Sequence, residues 1–168
     1  KLNDDKTEAI LCGSETNLKK VTLESVTVGN AEIPLSDTVR DLGLILDRSL
    51  TMVPHINKVV KTCFFHLRAL GQLRPHLNKK TANAVAVSLI QSRLDFCNSC
   101  LWGLPQNQLQ RLQKVQNTAA RIVTRSKKTD HITPVLRNLH WLPVPKRIDH
   151  KMLSLAYGCV NDTAPSYL

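Results

Sequence analysis

The densest set of side chains able to do chemistry is cationic. Arg111, Lys114, Arg121 and Arg125 recur inside a stretch, Gly103 to Lys128, that holds no Asp or Glu. Guanidinium and ammonium groups can grip phosphate oxygens, a contact that needs only positive donors on one face. Other reactive types are sparser. Asp4-Asp5 places two carboxylates beside Lys6, but an oxygen-ligand metal site needs several converging oxygens, and adjacent Asp residues in a polar stretch read as solvated turn residues. Cys97-x-x-Cys100 is half of a zinc pattern and Cys63-x-x-His66 is equally isolated. Structural zinc needs four ligands, and His131, His140 and His150 are spaced too widely to complete a local pair. No depressed-pKa environment is legible around any cysteine. We therefore assign no metal ligand and no cysteine nucleophile. Trp141 is either a base-stacking ring or a packing anchor, and between Leu139 and Leu142 it reads as the anchor.

The cationic set belongs to a wider asymmetry. Residues 1–50 hold six Lys/Arg against nine Asp/Glu, while residues 51–168 hold 17 Lys/Arg against four Asp/Glu. A folded region with that excess points to a polyanionic partner. Nucleic acid is the first candidate. A membrane surface is the second, but its usual mark, an amphipathic helix with Trp or Phe along the apolar face, is weak here. No apolar run approaches the ~20 residues of a membrane span. The five cysteines are an odd number and most fall in apolar periodic patterns, which fits reduced thiols of an intracellular protein. With 42% hydrophobic residues the chain can build a core, mostly from aliphatic side chains.

Two kinds of element must position these residues. Up to about residue 50 the pattern is that of strands. Glu8–Cys12 is a short apolar run closed by Gly13-Ser14. The Thr/Val-rich run around Val26 and Val28 is closed by Gly29-Asn30, a two-residue hairpin signal, with Ile33 and Leu35 on the returning strand. Leu42–Leu46 is a further strand, closed by Asp47. From Thr51 the period becomes helical. Ile56, Val59, Val60, Cys63, Phe64, Leu67 and Leu70 share a face of a first helix that opens near Pro54 and stops near Arg74-Pro75. A second helix follows Asn78 and runs to about Cys97. A third carries Leu109, Leu112, Val115, Ala119, Ile122 and Val123. A short helix is expected with Thr133 as N-cap and Pro134 in its first turn, reaching about His140. Pro143-Val144-Pro145 interrupts, and a last helix places Ile148, Met152, Leu155, Ala156 and Cys159 on one side. The fold class expected is α+β, with short antiparallel strands first and a helical bundle after them.

At about 100° per residue, Arg111, Lys114, Arg121 and Arg125 fall at about 0°, 300°, 280° and 320°, beside an apolar face spanning about 20° to 160°. The third helix should thus pack on one side and present a purely cationic arc on the next. Lys58, Lys61 and Arg68 on the first helix, Lys79-Lys80, and Lys127 and Lys128 would widen it. The alternative is pairing of these cations with the acidic N-terminal strands.

Several phrases, taken in order, resemble the reverse transcriptases of LINE-type (non-LTR, jockey-like) retrotransposons. Leu2-Asn3-x-x-Lys6-Thr7-Glu8 is similar to the segment after their catalytic Asp pair. Val39-Arg40-Asp41-Leu42-Gly43-Leu44-Ile45-Leu46-Asp47 resembles their primer-grip hairpin, with Asp41 where an aromatic is usual. Ser92-Arg93-Leu94-Asp95-Phe96-Cys97-Asn98, Gly103-Leu104-Pro105 and Leu112-Gln113-x-Val115-Gln116-Asn117-x-Ala119-Ala120-Arg121 resemble the thumb. Asp130–Leu136, Leu139–Val144 and Ala164–Leu168 continue in the same order.

The resemblance implies a C-terminal fragment of an RNA-directed DNA polymerase in three parts. Residues 1–50 would be a palm remnant with the primer-grip-like hairpin, 51–128 a helical thumb and 129–168 a helical C-terminal extension. The catalytic carboxylates and the Mg2+ they hold in the full-length enzyme would lie before Lys1, so the fragment is expected to carry no cofactor and to be inactive alone. Lys6 is a weak candidate for a lysine near the incoming triphosphate. Leu42 and Gly43 would offer backbone to the primer, Gly43 permitting close approach. The implied partners are the backbone of an RNA–DNA hybrid or other nucleic acid, and the missing upstream palm and fingers; no small-molecule substrate and no membrane are expected, and the implied location is nuclear. A stand-alone basic module for nucleic acid or protein, or a decayed retroelement remnant, are the alternatives.

Overall fold

The computed structural model describes residues 6–165 and residue 167. Residues 1–5, Ser166 and Leu168 lie outside the described residues, and with them the Asp4-Asp5 pair. The architecture is α+β: two antiparallel strand pairs followed by a mainly helical region. The chain divides into two compact units, Lys1–His55 and Ile56–Leu168.

In the first unit, β1 (Ser25–Val28) pairs with β2 (Ala31–Pro34) across Gly29-Asn30, with Val28 opposite Ala31. Gly29 has φ 63°, a first-position requirement of the type II′ hairpin turn. β3 (Thr38–Asp41) pairs with β4 (Leu44–Asp47), with Asp41 opposite Leu44. Both residues of that turn take positive φ, Leu42 at 44° and Gly43 at 100°, as a type I′ turn demands. The two ribbons do not merge into one sheet. The strand expected over Glu8–Cys12 is reduced to one bridge, Ala9 to Leu35. A single helical turn, α1 (Glu15–Leu18), follows, its Asn17 N–H donating to Ser14 Oγ at 3.4 Å. Ser14 thus acts as an N-cap where the sequence suggested only a strand end. At the exit, the Asp47 carboxylate accepts from Thr51 N–H at 3.0 Å and Met52 N–H at 2.9 Å.

The second unit is helical apart from its connections. Its first helix, α2 (Val53–Leu73), starts at the end of the first unit and buries Ile56, Cys63, Leu67 and Leu70. Val59 and Val60 are half-buried, and Phe64, expected in the core, lies at the exposed margin of the stripe. A 3-10 turn (Arg74–His76) ends the segment, as Pro75 requires. Asn78 then caps α3 (Lys79–Ala86), accepting from Thr81 N–H at 2.8 Å.

The second helix is not uniform as expected. It widens into a π-helical turn (Val87–Gln91) and closes with α4 (Ser92–Asp95), before Cys97 reverses the chain at φ 48°. The wider turn changes the backbone pairing, and the Arg93 guanidinium donates to Leu89 O at 2.6 Å. α5 (Gln106–Thr124) buries Leu109, Leu112, Val115, Ala119, Ala120 and Val123. α6 (Ile132–Asn138) starts two residues earlier than expected, with His131 at the cap and no side-chain cap bond. Thr133 is therefore inside the helix, and Pro134 is tolerated because first-turn N–H groups have no intrahelical partner. Trp141 is buried, an anchor as expected. α7 (Val144–Val160) starts within Pro143-Val144-Pro145. It buries Val144 and Ile148, but Met152 and Leu155 are half-buried and Ala156 and Cys159 exposed, so the expected apolar face stays covered only at its first turns. No helix among the described residues is long and apolar enough to cross a membrane.

Candidate nucleic-acid interface

α5 is held at both ends and in its middle by polar contacts that its sequence pattern hides. In the middle, Gln116 is fully buried and donates from Nε2 to Leu142 O at 2.8 Å. Gln113 donates to Gln116 Oε1 at 2.9 Å and accepts the Val144 N–H at 2.8 Å. That amide supplies an acceptor to an otherwise orphaned donor at the start of α7. At the C-terminus, Ser126 N–H reaches Arg121 O and Arg125 N–H reaches Ile122 O, at 3.2 and 3.4 Å. This is a Schellman ending with Arg125, φ 58°, in the left-handed position usually given to Gly.

Two arginines then exchange helix ends. Arg74, 9% exposed, donates from Nε and Nη2 to Val123 O at 3.1 and 2.8 Å, and from Nε to Ile122 O at 3.0 Å. Its Nη1 reaches Leu77 O at 2.6 Å. A cation at the carbonyl end of α5 is favoured by the helix dipole and satisfies carbonyls left over there. Arg125 returns the contact, donating from Nη2 to Arg74 O at 3.0 Å and Pro75 O at 3.3 Å. At the other end, the Arg111 guanidinium bonds Asn57 Oδ1 of α2 and, at 2.9 Å, Gln108 Oε1. Early α2 is thus tied to early α5, and the turn that ends α2 is tied to late α5, so the two helices run in the same general direction.

The expected cationic arc is placed as follows. Lys114 is exposed on α5, and Arg111 and Arg121 are half-buried. Arg121 Nη2 donates to Asp130 O at 3.2 Å. Arg125 has left the helix, so the expected four-residue arc is corrected to three residues on α5 and one redirected toward the end of α2. Lys58 and Lys61 are exposed on α2, and Lys127 and Lys128 in the turn after α5. The partners of the three arginines are carbonyls and amides, which fix the guanidinium groups without neutralising them.

Three of the four side-chain carboxylates of residues 51–168 are committed elsewhere. Asp95 pairs with Arg147 through both oxygens and Asp149 pairs with Lys146 at 3.3 Å, both pairs reaching α7. Asp130 accepts Lys127 N–H at 2.7 Å. None of the four carboxylates of residues 51–168 forms an ion pair with a cation of α2 or α5, and neither helix contains an acidic residue.

The Leu42-Gly43 turn stands at the tip of the β3–β4 hairpin with Leu42 90% exposed, and Lys6 is exposed. Burial pushes the Cys63 thiol up to about 11, a shift only partly opposed by the Arg93 guanidinium, so Cys63 is a protonated core residue. Among the described residues no group of three or more His, Cys, Asp or Glu converges on a metal position. Sequence reasoning missed Arg74 and the Gln113–Gln116 network. The one available signal was a glutamine-rich helix without acids; the partners themselves lie 25 to 49 residues away. No family model matches this chain, and no curated protein or solved structure matches it.

Proposed function

We propose that the helical unit binds nucleic acid along its sugar-phosphate backbone, as the duplex-holding part of a LINE-type reverse transcriptase whose catalytic carboxylates lie outside this chain. One observation carries the reading: α2 and α5, joined by side-chain bonds near both ends, bear Lys58, Lys61, Arg111, Lys114 and Arg121 with no acidic residue on either helix. Solvated helix faces ordinarily mix signs, because Glu–Lys pairs four apart add stability. A surface that forgoes such pairs repels itself unless a polyanion covers it. Contacts of this kind position a strand without reading its bases. The exposed Leu42-Gly43 tip is the place where main chain would approach the primer in this reading.

The test is binding to an RNA–DNA hybrid by fluorescence anisotropy at several salt concentrations. Four to six phosphate contacts predict a log–log slope of about −3 to −5. Lys61→Glu combined with Lys114→Glu, both at exposed positions, should weaken binding and flatten the slope by about 2. A slope near zero, or an unchanged slope in the double variant, would overturn the proposal.

A further inference from the structure

The outer face of α2 carries a feature that backbone binding leaves unused. Phe65 is 67% exposed although it sits mid-helix in the best-packed unit of the chain. With Lys58 at zero and about 100° per residue, Lys61, Phe65 and Arg68 fall at about 300°, 340° and 280°. The buried Ile56, Cys63, Leu67 and Leu70 fall at about 120° to 180° by the same count. Phe65 therefore points directly away from the core. Lys61 is one turn before it and Arg68 one turn after, and both are exposed. The ring meets His66 edge-on, with centroids 5.4 Å apart and planes at 77°. That contact orients the ring and leaves most of its surface to solvent.

We infer that Phe65 is a stacking platform for an unpaired base, with Lys61 and Arg68 holding the flanking phosphates. This rests on the backbone-binding reading above and adds a second ligand beside the duplex, single-stranded nucleic acid. An aromatic ring set between cations is how proteins bind single strands without sequence preference, since every base offers a π face and every nucleotide a charge. A duplex keeps its bases stacked on each other and has none free for the ring. A membrane surface fits less well: a helix lying in lipid needs a broad apolar face, whereas the exposed neighbours of Phe65 on this side are Lys58, Lys61, Arg68, Ala69 and Gln72.

The test compares Phe65→Ala and Phe65→Trp with the parent chain on three probes: a labelled thymidine 20-mer, an RNA–DNA hybrid of equal length, and vesicles containing phosphatidylserine. Phe65→Ala should weaken single-strand binding about 5- to 100-fold, change hybrid binding less than about twofold, and leave the thermal unfolding curve in place; Phe65→Trp should restore single-strand binding. Equal losses on both nucleic acids, no loss on either, or Phe65-dependent binding to vesicles alone would overturn the stacking role. If the parent chain binds neither nucleic acid, the backbone reading falls as well, and this outcome is distinct from a selective failure of the Phe65 variants.

Discussion

Among its described residues the first unit buries two apolar side chains, Ile33 and Met52, whereas the second lines α2, α3, α5 and α7 with them. The first unit is tied instead by ladder bonds in two separate ribbons and by carboxylates that accept backbone N–H groups. Glu8 accepts from Arg40 N–H at 3.1 Å, and Asp47 accepts from Thr51 and Met52. Two-stranded ribbons are marginal by themselves. The second unit draws on a contiguous core, so it can spend charge without compensation on its outer faces.

That contrast can be broken most sharply in the core. Leu112→Ala, at a site 1% exposed on α5, should lower helical stability by about 3 to 4 kcal/mol in urea denaturation followed at 222 nm. Ile33→Ala should leave the same transition within about 0.5 kcal/mol. Equal shifts would erase the distinction between the units. A smaller effect separates the two exchanged arginines. Arg74→Ala strands buried carbonyls at the end of α5 and should cost about 2 to 3 kcal/mol. Arg125→Ala removes an exposed donor and should cost less than about 1 kcal/mol.

The smallest effect contrasts two thiols, exposed Cys12 in the first unit and buried Cys63 in the second. Cys12 should react with a thiol reagent at once, and Cys63 only upon unfolding. Because the folded value for Cys63 is raised to about 11 from 9.0, its contribution is full below pH 9 and is lost as pH rises toward 11. The stability difference between the parent chain and Cys63→Ala, about 1 kcal/mol at pH 7, should therefore shrink between pH 9 and 11.

The sequence-legible features are those with a local cause. Gly29-Asn30 announces a hairpin because few residues tolerate that turn. Asn78 announces a helix start because its side chain reaches an N–H three residues on. The stripe Ile56, Cys63, Leu67 and Leu70 follows from helical spacing alone. Thr133 misled: it is a good capping residue, yet α6 begins one residue before it, at Ile132. Phe64 and Phe65 are adjacent and chemically identical, so periodicity assigned one to the core, yet both are exposed. The candidate site was legible in its charges and not in its geometry: Arg111, Lys114 and Arg121 share a helix as expected, while Arg125 does not.

By itself the sequence determined that strands come first and the helical region after them, the sign of each unit's charge and the freedom of α5 from acids, because composition and spacing are local quantities. Tertiary structure alone decided that Arg74 is buried, that Arg125 turns back to the end of α2, and that Gln113 and Gln116 join α5 to α7. Each of those outcomes depends on unsatisfied backbone groups supplied by residues distant in the chain, and a partner that only folding brings within hydrogen-bond reach leaves no periodic trace.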